Sequence, residues 1–495
     1  MPRVAFDNDK YIELQSKCIM ERIAHFGGKL YLEFGGKLFD DYHAARVLPG
    51  FAPDSKIRML TTLKDSAEIV IVVNAGDIEK NKVRGDLGIT YEQDTLRLID
   101  AFRGFGLYVG CVVLSRFEGQ AAAISFQTHL ETLGVKVYRH YTIPGYPIDI
   151  SAIVSPEGCG KNEYIETTRP LVVVTAPGPG SGKMATCLSQ LYHDNLRGIK
   201  SGYAKFETFP IWNLSLKHPV NLAYEAATAD LDDVNMIDPF HLEAYGKVAV
   251  NYNRDVEIFP VLRAMFQSIG LEDLYHSPTD MGVNMAGFCI VDDEAARDAA
   301  SKEVIRRYYA ALVSHRKGMS DDQAANRIKV MMNASGISIL SRKVIAAAKA
   351  KSFQTEGQPA AALELPDGRI VTGKTSSLLG ATSAMLLNAL KALANIPDDV
   401  HLISPEVIIP IQELKTKHLG NHNPRLHTDE ILLALAICAT EHEEAKSAMD
   451  QLKHLRSCEA HSTVILSPID MDIIRKLGIN LTTEPKYQTK KLFHR

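Results

Sequence analysis

The sequence predicts a multidomain α/β protein, and three observations support this prediction. Apolar strand-like segments alternate with helical segments through the first third of the chain, which is typical of parallel strands joined by helices. The chain has 495 residues, and at roughly 150 residues per domain this length predicts about three domains. Apolar residues make up 46% of the chain and charged residues 23%, which excludes disordered, collagen-like and coiled-coil proteins.

The N-terminal domain, predicted to span residues 1–205, is expected to contain a parallel sheet covered by helices. Two glycines, Gly35 and Gly36, separate the segments 30–34 and 37–39 and predict a β-hairpin there. The other predicted elements are, in chain order, strand 68–73, helix 91–105, strand 107–114, helix 120–133, strand 135–140, strand 150–154 and strand 170–175.

The rest of the chain is predicted to form a mixed, largely helical middle region at 206–355 and a C-terminal α/β domain at 356–495. In the C-terminal domain a Pro-Asp-Gly turn joins segments 360–365 and 369–372, which predicts a hairpin. The elements predicted after this hairpin are an amphipathic helix at 376–393 and strands at 401–404 and 407–411.

The charge balance and the cysteines exclude several kinds of partner. The chain has 55 basic and 59 acidic residues, so a nucleic acid is not expected to bind it. The seven cysteines form no CxxC pair, which argues against zinc and favours reduced thiols. The chain starts without the apolar segment of a secretion signal, and no apolar run approaches the roughly 18 residues that span a bilayer. We therefore expect a cytoplasmic protein without a membrane partner.

The most specific motif is a glycine-rich loop between a predicted strand and a predicted helix. Residues 176–183, Ala-Pro-Gly-Pro-Gly-Ser-Gly-Lys, are here called the phosphate loop. Its glycines allow successive backbone N–H groups to converge on an anion, while the helix N-terminus and the lysine add positive charge. The alternative left open is a tight turn with an exposed lysine. The residues predicted to bind the anion are Gly178, Gly180, Ser181, Gly182, Lys183 and Thr186.

This loop resembles the phosphate-binding loop of adenylate-kinase-like P-loop proteins, which implies ATP or another nucleotide as ligand. It departs from their pattern at Pro177, where the family has glycine. It departs again at Met184, where the family has a serine or threonine that helps to hold Mg²⁺. Thr186 lies two positions further on. The resemblance therefore implies phosphate binding, while the departures argue against Mg²⁺-dependent hydrolysis.

An acidic segment at 288–294, Phe-Cys-Ile-Val-Asp-Asp-Glu, has two interpretations. Apolar residues followed by carboxylates are typical of a Walker B strand, which holds a metal ion through water. Alternatively, Asp292 or Asp293 caps a helix that begins near Glu294, and an acidic first turn suits the helix dipole. The capping interpretation is favoured.

Two further clusters are candidates for ligand contacts. The loop 417–430 contains three histidines and Arg425, but the irregular spacing of the histidines does not predict a zinc site. We expect Arg425 and His427 to contact an anionic or polar substrate, and a hydrogen-bonded interdomain loop is the alternative. The second cluster, 251–255, contains Arg254.

We further predict that 421–427 and 251–255 approach the phosphate loop and form one cleft, because arginine pairs are suited to a second phosphate or a carboxylate. The alternative is that each arginine makes a local ion pair. The local partners would be Asp255 or Glu257 for Arg254, and Asp429 for Arg425.

Nearly end to end, the chain resembles the bacterial family catalogued as domain of unknown function 1846. The resemblance implies no activity. Some members carry the label of ATP-dependent zinc protease, but this chain lacks the HExxH motif of such proteases. The segment 360–393 is also similar to the start of a cytidine-deaminase-like fold, although Ser376-Ser-Leu-Leu stands where that family has its zinc ligand and catalytic glutamate. The resemblance rests on segments 176–194, 251–257, 277–284 and 421–430.

These observations favour a cytoplasmic enzyme that binds a nucleotide or phosphorylated metabolite and carries out phosphoryl transfer or ligation. The expected catalytic residues are Lys183, Arg254, Arg425 and His427. The expected cofactor is ATP or another nucleotide, and no metal site is predicted. Two alternatives stay open: a non-hydrolysing protein that binds a phosphate-bearing ligand, and a homo-oligomeric protein with no catalytic role.

Overall fold

A computed structural model shows two compact units, each with its own sheet. The N-terminal unit comprises Val4–Tyr224 and Asp233–Ala296. The C-terminal unit comprises chiefly Glu225–Asp232 and the chain from Arg297 onward. The residues that the structure describes are 3–84, 87–271 and 274–489.

The strands and helices are numbered separately in chain order. The strands are β1 (Leu30–Phe34), β2 (Ala67–Asn74), β3 (Val83–Arg84), β4 (Ile89–Thr90), β5 (Tyr108–Ser115), β6 (Lys136–Arg139), β7 (Leu171–Thr175), β8 (Gly202–Phe206), β9 (Asn235–Ile237), β10 (Val250–Tyr252), β11 (Gly282–Val283), β12 (Ala360–Glu364), β13 (Ile370–Lys374), β14 (Glu459–Ser462) and β15 (Asn480–Thr483). The α-helices are α1 (Asn8–His25), α2 (Tyr42–Val47), α3 (Ser55–Thr62), α4 (Ala75–Glu79), α5 (Tyr91–Gly104), α6 (Ala121–Thr132), α7 (Ile150–Ile153), α8 (Lys183–Leu196), α9 (Pro219–Ala227), α10 (Pro239–Tyr245), α11 (Asn253–Ser268), α12 (Pro278–Met281), α13 (Asp293–Arg316), α14 (Gln323–Ala334), α15 (Lys343–Gln354), α16 (Ala381–Ala394), α17 (Pro405–Glu413), α18 (Thr428–Cys438), α19 (Glu443–Met449) and α20 (Pro468–Lys476).

A parallel sheet forms the centre of the N-terminal unit. Its described strands lie in the order β11-β8-β1-β7-β2-β5-β6, and every neighbouring pair is parallel. All residues of β1 and β7 are buried, as expected for strands covered on both faces. The predicted α/β fold with a parallel N-terminal sheet is confirmed.

Two local predictions in this unit are wrong. Residues 30–39 form no hairpin, because β1 is buried and pairs in parallel with β7 and β8, while 37–39 contain no strand. Residues 150–154 are not a strand: Asp149 accepts a hydrogen bond from Ala152 N–H and caps the short helix α7. In both places a local apolar pattern was insufficient to identify the element.

The acidic segment at 288–294 adopts the favoured capping arrangement. A 3₁₀ turn, Ala286–Cys289, stands where a Walker B strand would lie. The Asp292 carboxylate accepts a hydrogen bond from Ala295 N–H at 3.1 Å, in the first turn of α13. The Walker B interpretation is therefore wrong.

The C-terminal unit contains a mixed sheet in the order β13-β12-β14-β15. Its first pair, β12 and β13, is the predicted antiparallel hairpin. The following helix, α16, begins at Ala381, five residues after the predicted start. The strands predicted at 401–404 and 407–411 are wrong, because Pro405 starts helix α17 over most of this stretch.

Close packing of α16 against β13 depends on Gly373. A Cβ atom at this position would lie 2.1 Å from the main-chain nitrogen of Met385 and 2.5 Å from the carbonyl oxygen of Ala381. Backbone atoms on a packed helix cannot move aside as a flexible side chain can. This contact therefore fixes the first turn of α16 against the sheet.

We expect Gly373→Ala to lower the free energy of unfolding of the C-terminal unit by about 3 kcal/mol, the upper range for overpacking a core. Gly104→Ala is the control, because an added Cβ there has no atom within 4 Å. Chemical denaturation followed by circular dichroism measures both variants. Wild-type stability in Gly373→Ala would contradict the packing described.

Candidate functional site

The phosphate loop lies where the chain connections of the parallel sheet change direction. Strand β7 lies between β1 and β2. From β2 the chain continues towards β5 and β6, whereas from β7 it continues through α8 to β8 on the opposite side. Such a reversal opens a crevice at the carboxyl ends of the strands, where open parallel sheets bind their ligands.

Two glycines of the loop are required by its geometry. Gly182 has φ of 91° and occupies the N-cap position of α8, a conformation that L side chains rarely adopt. At Gly178, an added Cβ atom would lie 2.2 Å from the hydroxyl oxygen of Tyr91. The loop is therefore held against α5 with no room for a side chain at position 178.

No side chain in the described part of the chain caps the N-terminus of α8. In the first main-chain hydrogen bond of this turn, Thr186 N–H donates to the carbonyl of Gly182 at 2.9 Å. The N–H groups of Lys183, Met184 and Ala185 precede that bond and are available to a ligand. In the described part of the chain, no salt bridge engages the Lys183 amine. The end of α8 thus combines free donors, the positive end of the helix dipole and a lysine.

Two buried hydroxyl groups in the same turn lack partners. Ser181 is 2% exposed and Thr186 is 1% exposed, and neither side-chain oxygen has a hydrogen-bond partner within the described residues. The loop is anchored differently: the Ser115 hydroxyl at the end of β5 donates to the Ser181 carbonyl at 2.5 Å. Buried polar groups are normally paired, so these two hydroxyls are free to bind a ligand or water.

A buried charge cluster lies at the same edge of the sheet. The Lys205 amine on β8 forms ion pairs with Glu207, at 2.9 Å, and with Asp255 on α11. Glu33 lies opposite Lys205 in the strand register and accepts a hydrogen bond from the Tyr203 hydroxyl at 2.7 Å. Since neighbouring strands are about 4.8 Å apart, β8 lies about 10 Å from β7 and its loop.

Electrostatics link this cluster to the phosphate loop through Cys187. Burial raises the pKa of the Cys187 thiol well above its ordinary value, Glu33 raises it further, and Lys183 partly opposes the increase. Lys183 and Glu33 therefore act with opposite sign on one residue of α8. The phosphate loop and the charge cluster, two strand spacings apart at this edge of the sheet, together form the candidate site.

Glu207 is the member of this cluster best suited to proton transfer. Burial raises the pKa of its carboxyl group to about 7, an increase that Lys205 opposes and Asp255 reinforces. A carboxyl group with such a pKa can hold or release a proton near neutral pH. We did not predict it from the sequence, although a glutamate in β1 and a lysine in β8, both buried strands, are unusual enough to indicate a site.

Arg254 and the C-terminal residues have other partners. Arg254 forms a two-point ion pair with Asp233, at 2.5 and 2.7 Å, rather than with Asp255 or Glu257. Arg425 and His427 belong to the C-terminal unit, where they line a cavity. The prediction that they share one cleft with the phosphate loop stays a prediction.

Metal-binding clusters and membrane-spanning helices are both absent from the part of the chain that the structure describes. Within 3–84, 87–271 and 274–489, no group of three or more His, Cys, Asp or Glu side chains is arranged to hold a metal ion. Over the same residues, no helix combines the length and the apolar character needed to cross a bilayer.

Comparison with known proteins places the chain in a family. The family model described as domain of unknown function DUF1846, N-terminal, matches residues 4–336 of the chain. The family model for the C-terminal domain of the same family matches residues 340–493. The chain belongs to this family, as the sequence resemblance predicted. Relatives called UPF0371 protein are 59% identical over 495 residues in Streptococcus pyogenes serotype M5 (strain Manfredo) and in Streptococcus sanguinis (strain SK36). Another from Streptococcus equi subsp. equi is 58% identical over 493 residues, and each alignment covers 100% of both chains.

The raised pKa of Glu207 predicts a specific pH dependence of stability. Its folded-state pKa is about 7, whereas an unfolded glutamate has about 4.3. Between these values the folded state holds a proton that the unfolded state has released, so this residue reduces stability as the pH rises. The glutamine side chain of Glu207→Gln does not titrate, so the variant lacks this contribution to the pH dependence.

The melting temperature of wild type minus that of Glu207→Gln should therefore fall from about pH 5 to about pH 7 and level off above. Thermal unfolding in a series of buffers measures this difference. Glu13→Gln, at an exposed position of α1, is the control and should give a constant difference. A constant difference for Glu207→Gln as well would show that its pKa is ordinary.

Proposed function

We propose that the protein is an enzyme that binds a nucleotide or other phosphorylated metabolite at the phosphate loop and transfers or ligates a group there. The observation that carries this proposal is the uncapped N-terminus of α8 at the reversal of the sheet connections. Within the described residues Lys183 has no ion-pair partner and the Ser181 and Thr186 hydroxyls have no hydrogen-bond partner, so they add a charge and two polar groups suited to phosphate.

In this proposal the loop and the charge cluster have different roles. The N–H groups of α8 and the Lys183 amine hold the ligand phosphate and neutralise its charge, which is most of what phosphoryl transfer requires of a protein. A ligand that extends from the loop across β1 reaches Glu207, about 10 Å away by strand spacing. Glu207 then accepts or donates the proton that a nucleophile or leaving group exchanges.

Met184 favours a second candidate, a protein that binds the phosphorylated ligand without hydrolysing it. This position has no hydroxyl group to help hold Mg²⁺. In either case we propose the cytoplasm as the compartment, because all seven cysteines are free thiols.

The first test is binding of inorganic phosphate and ATP, with and without Mg²⁺, measured by isothermal titration calorimetry. A hydrogen bond to a charged group contributes about 1.5–3 kcal/mol, so Lys183→Ala should weaken binding by about ten- to a hundredfold. Lys217→Ala, an exposed lysine of the same unit, is the control and should leave binding unchanged.

Equal affinities of Lys183→Ala and wild type would remove the phosphate loop from the site. Turnover of bound ATP distinguishes the two candidate functions. The enzyme proposal expects turnover that Glu207→Gln reduces without weakening phosphate binding, whereas tight binding with no turnover of any phosphorylated ligand would support the second candidate.

A further inference from the structure

A cavity in the C-terminal unit is lined by the N-terminal ends of three helices. Gly380 is the N-cap of α16 and Ala381 to Ser383 are its first residues, His427 is the N-cap of α18, and Ser467 is the N-cap of α20. Its cavity volume is about 50 Å³. This is several times the roughly 10–15 Å³ that one water molecule needs, so the cavity has room for a small oxyanion group. We call it the C-terminal pocket; its other lining residues used below are Thr375, Arg425 and Asp470.

The N-terminus of α16 is uncapped, since Gly380 offers no side-chain hydrogen bond. In its first main-chain hydrogen bond, Ala384 N–H donates to the Gly380 carbonyl at 3.0 Å. The N–H groups of Ala381, Thr382 and Ser383 are therefore available, and the helix dipole makes this end positive.

Two buried hydroxyl groups in the pocket lining provide a second, independent observation. Thr375 is 5% exposed and Thr382 is 3% exposed, and neither side-chain oxygen has a hydrogen-bond partner among the described residues. An unpaired buried hydroxyl destabilises the folded protein, so these two are expected to bond to a ligand or to water in the pocket.

Arg425 and His427 provide the pocket lining with positively charged groups that can bind a ligand. Arg425 uses its Nε–H to donate to the Ser376 carbonyl at 2.7 Å, and no other acceptor among the described residues engages its two terminal nitrogens. The His427 Nδ1 hydrogen-bonds Asp470 at 2.9 Å, and no hydrogen bond of its Nε2 is found among the described residues. The hydrogen bond to Asp470 raises the pKa of His427, against a smaller opposing effect of burial, and favours the charged imidazolium.

Asp470 is the acidic residue of the described lining, and its carboxylate already has hydrogen-bond partners in the protein. Besides His427, its carboxylate accepts hydrogen bonds from Thr428 N–H at 2.9 Å, from the Thr428 hydroxyl at 3.0 Å and from the Ser467 hydroxyl at 2.8 Å. Both oxygens of this carboxylate are therefore already hydrogen-bonded to groups of the protein. The groups left for a ligand are donors and cations.

We propose that the C-terminal pocket is a second ligand site, independent of the phosphate loop, that binds an oxyanion group of a small metabolite. The oxyanion is a phosphate monoester or a carboxylate, which present the same acceptor chemistry. Arg425 forms the ion pair, His427 Nε2–H donates to the oxyanion, and the Thr375 and Thr382 hydroxyls complete its hydrogen bonds.

Calorimetry with the full chain tests this proposal, using inorganic phosphate and succinate as probes at constant ionic strength. Arg425→Gln and Thr382→Val should each weaken binding of at least one probe tenfold or more. Arg369→Gln is the control, because Arg369 also donates to a main-chain carbonyl, that of Ala392, and lies outside the pocket lining. It should leave that affinity unchanged. In Lys183→Ala, where binding at the phosphate loop is weakened, the binding that remains should be that of the C-terminal pocket.

Loss of phosphate binding alone assigns a phosphate ligand, and loss of succinate binding alone assigns a carboxylate. Thr382→Val keeps the test decisive if Arg425→Gln folds poorly, because removing an unpaired hydroxyl should leave the melting temperature of the ligand-free protein unchanged or higher. The proposal is overturned if neither probe binds, or if both pocket variants bind both probes as tightly as wild type. It is also overturned if Lys183→Ala alone abolishes all binding, an outcome that would leave the phosphate-loop proposal intact.

Discussion

The parallel pairing of β7 between β1 and β2 is the constraint on which the candidate site depends. Each residue of β7 is buried, and both neighbours are parallel to it, so its connections must cross a face of the sheet. The chain enters β7 from β6 on one side and leaves it towards β8 on the other. The loop after β7 is thereby placed at the crevice, and α8 is directed with its positive end towards it.

Buried charge alone does not identify the candidate sites, as a second network in the C-terminal unit demonstrates. Arg342 is fully buried there and donates to Glu459 at 2.8 Å and to the carbonyls of Asn480 and Ala460. Arg306 joins Glu459 to Glu303 through ion pairs of 2.7 and 2.6 Å. The polar groups of this network are partnered within the protein, which is typical of a structural role. The phosphate loop and the C-terminal pocket instead contain buried hydroxyls that no described residue partners.

The features predicted correctly from the sequence are those that depend on residues close together along the chain. The apolar runs of β2 and β7, and the glycine-rich loop with Lys183, are local patterns, and the structure contains each element where it was expected. The hairpin at 30–39 failed because long-range parallel pairing of β1 outweighed the local preference of Gly35-Gly36 for a turn.

The charge cluster could not be assembled from the sequence for a similar reason. Its members come from β1, from β8 and the residue after it, and from α11, and only the fold brings Glu33, Lys205, Glu207 and Asp255 together. Local sequence offers Asp255 and Glu257 as partners of Arg254, but its partner is Asp233, some twenty residues earlier. Spacing along the chain carries no information about such contacts.

The most direct test of the central claim, that the uncapped end of α8 is an anion site, is a crystal structure with bound arsenate located by anomalous scattering. We expect an arsenate whose oxygens lie within about 3.2 Å of the main-chain nitrogens of Lys183 and Met184. An empty loop at saturating arsenate, or a Lys183 amine paired with a carboxylate of the protein, would contradict it.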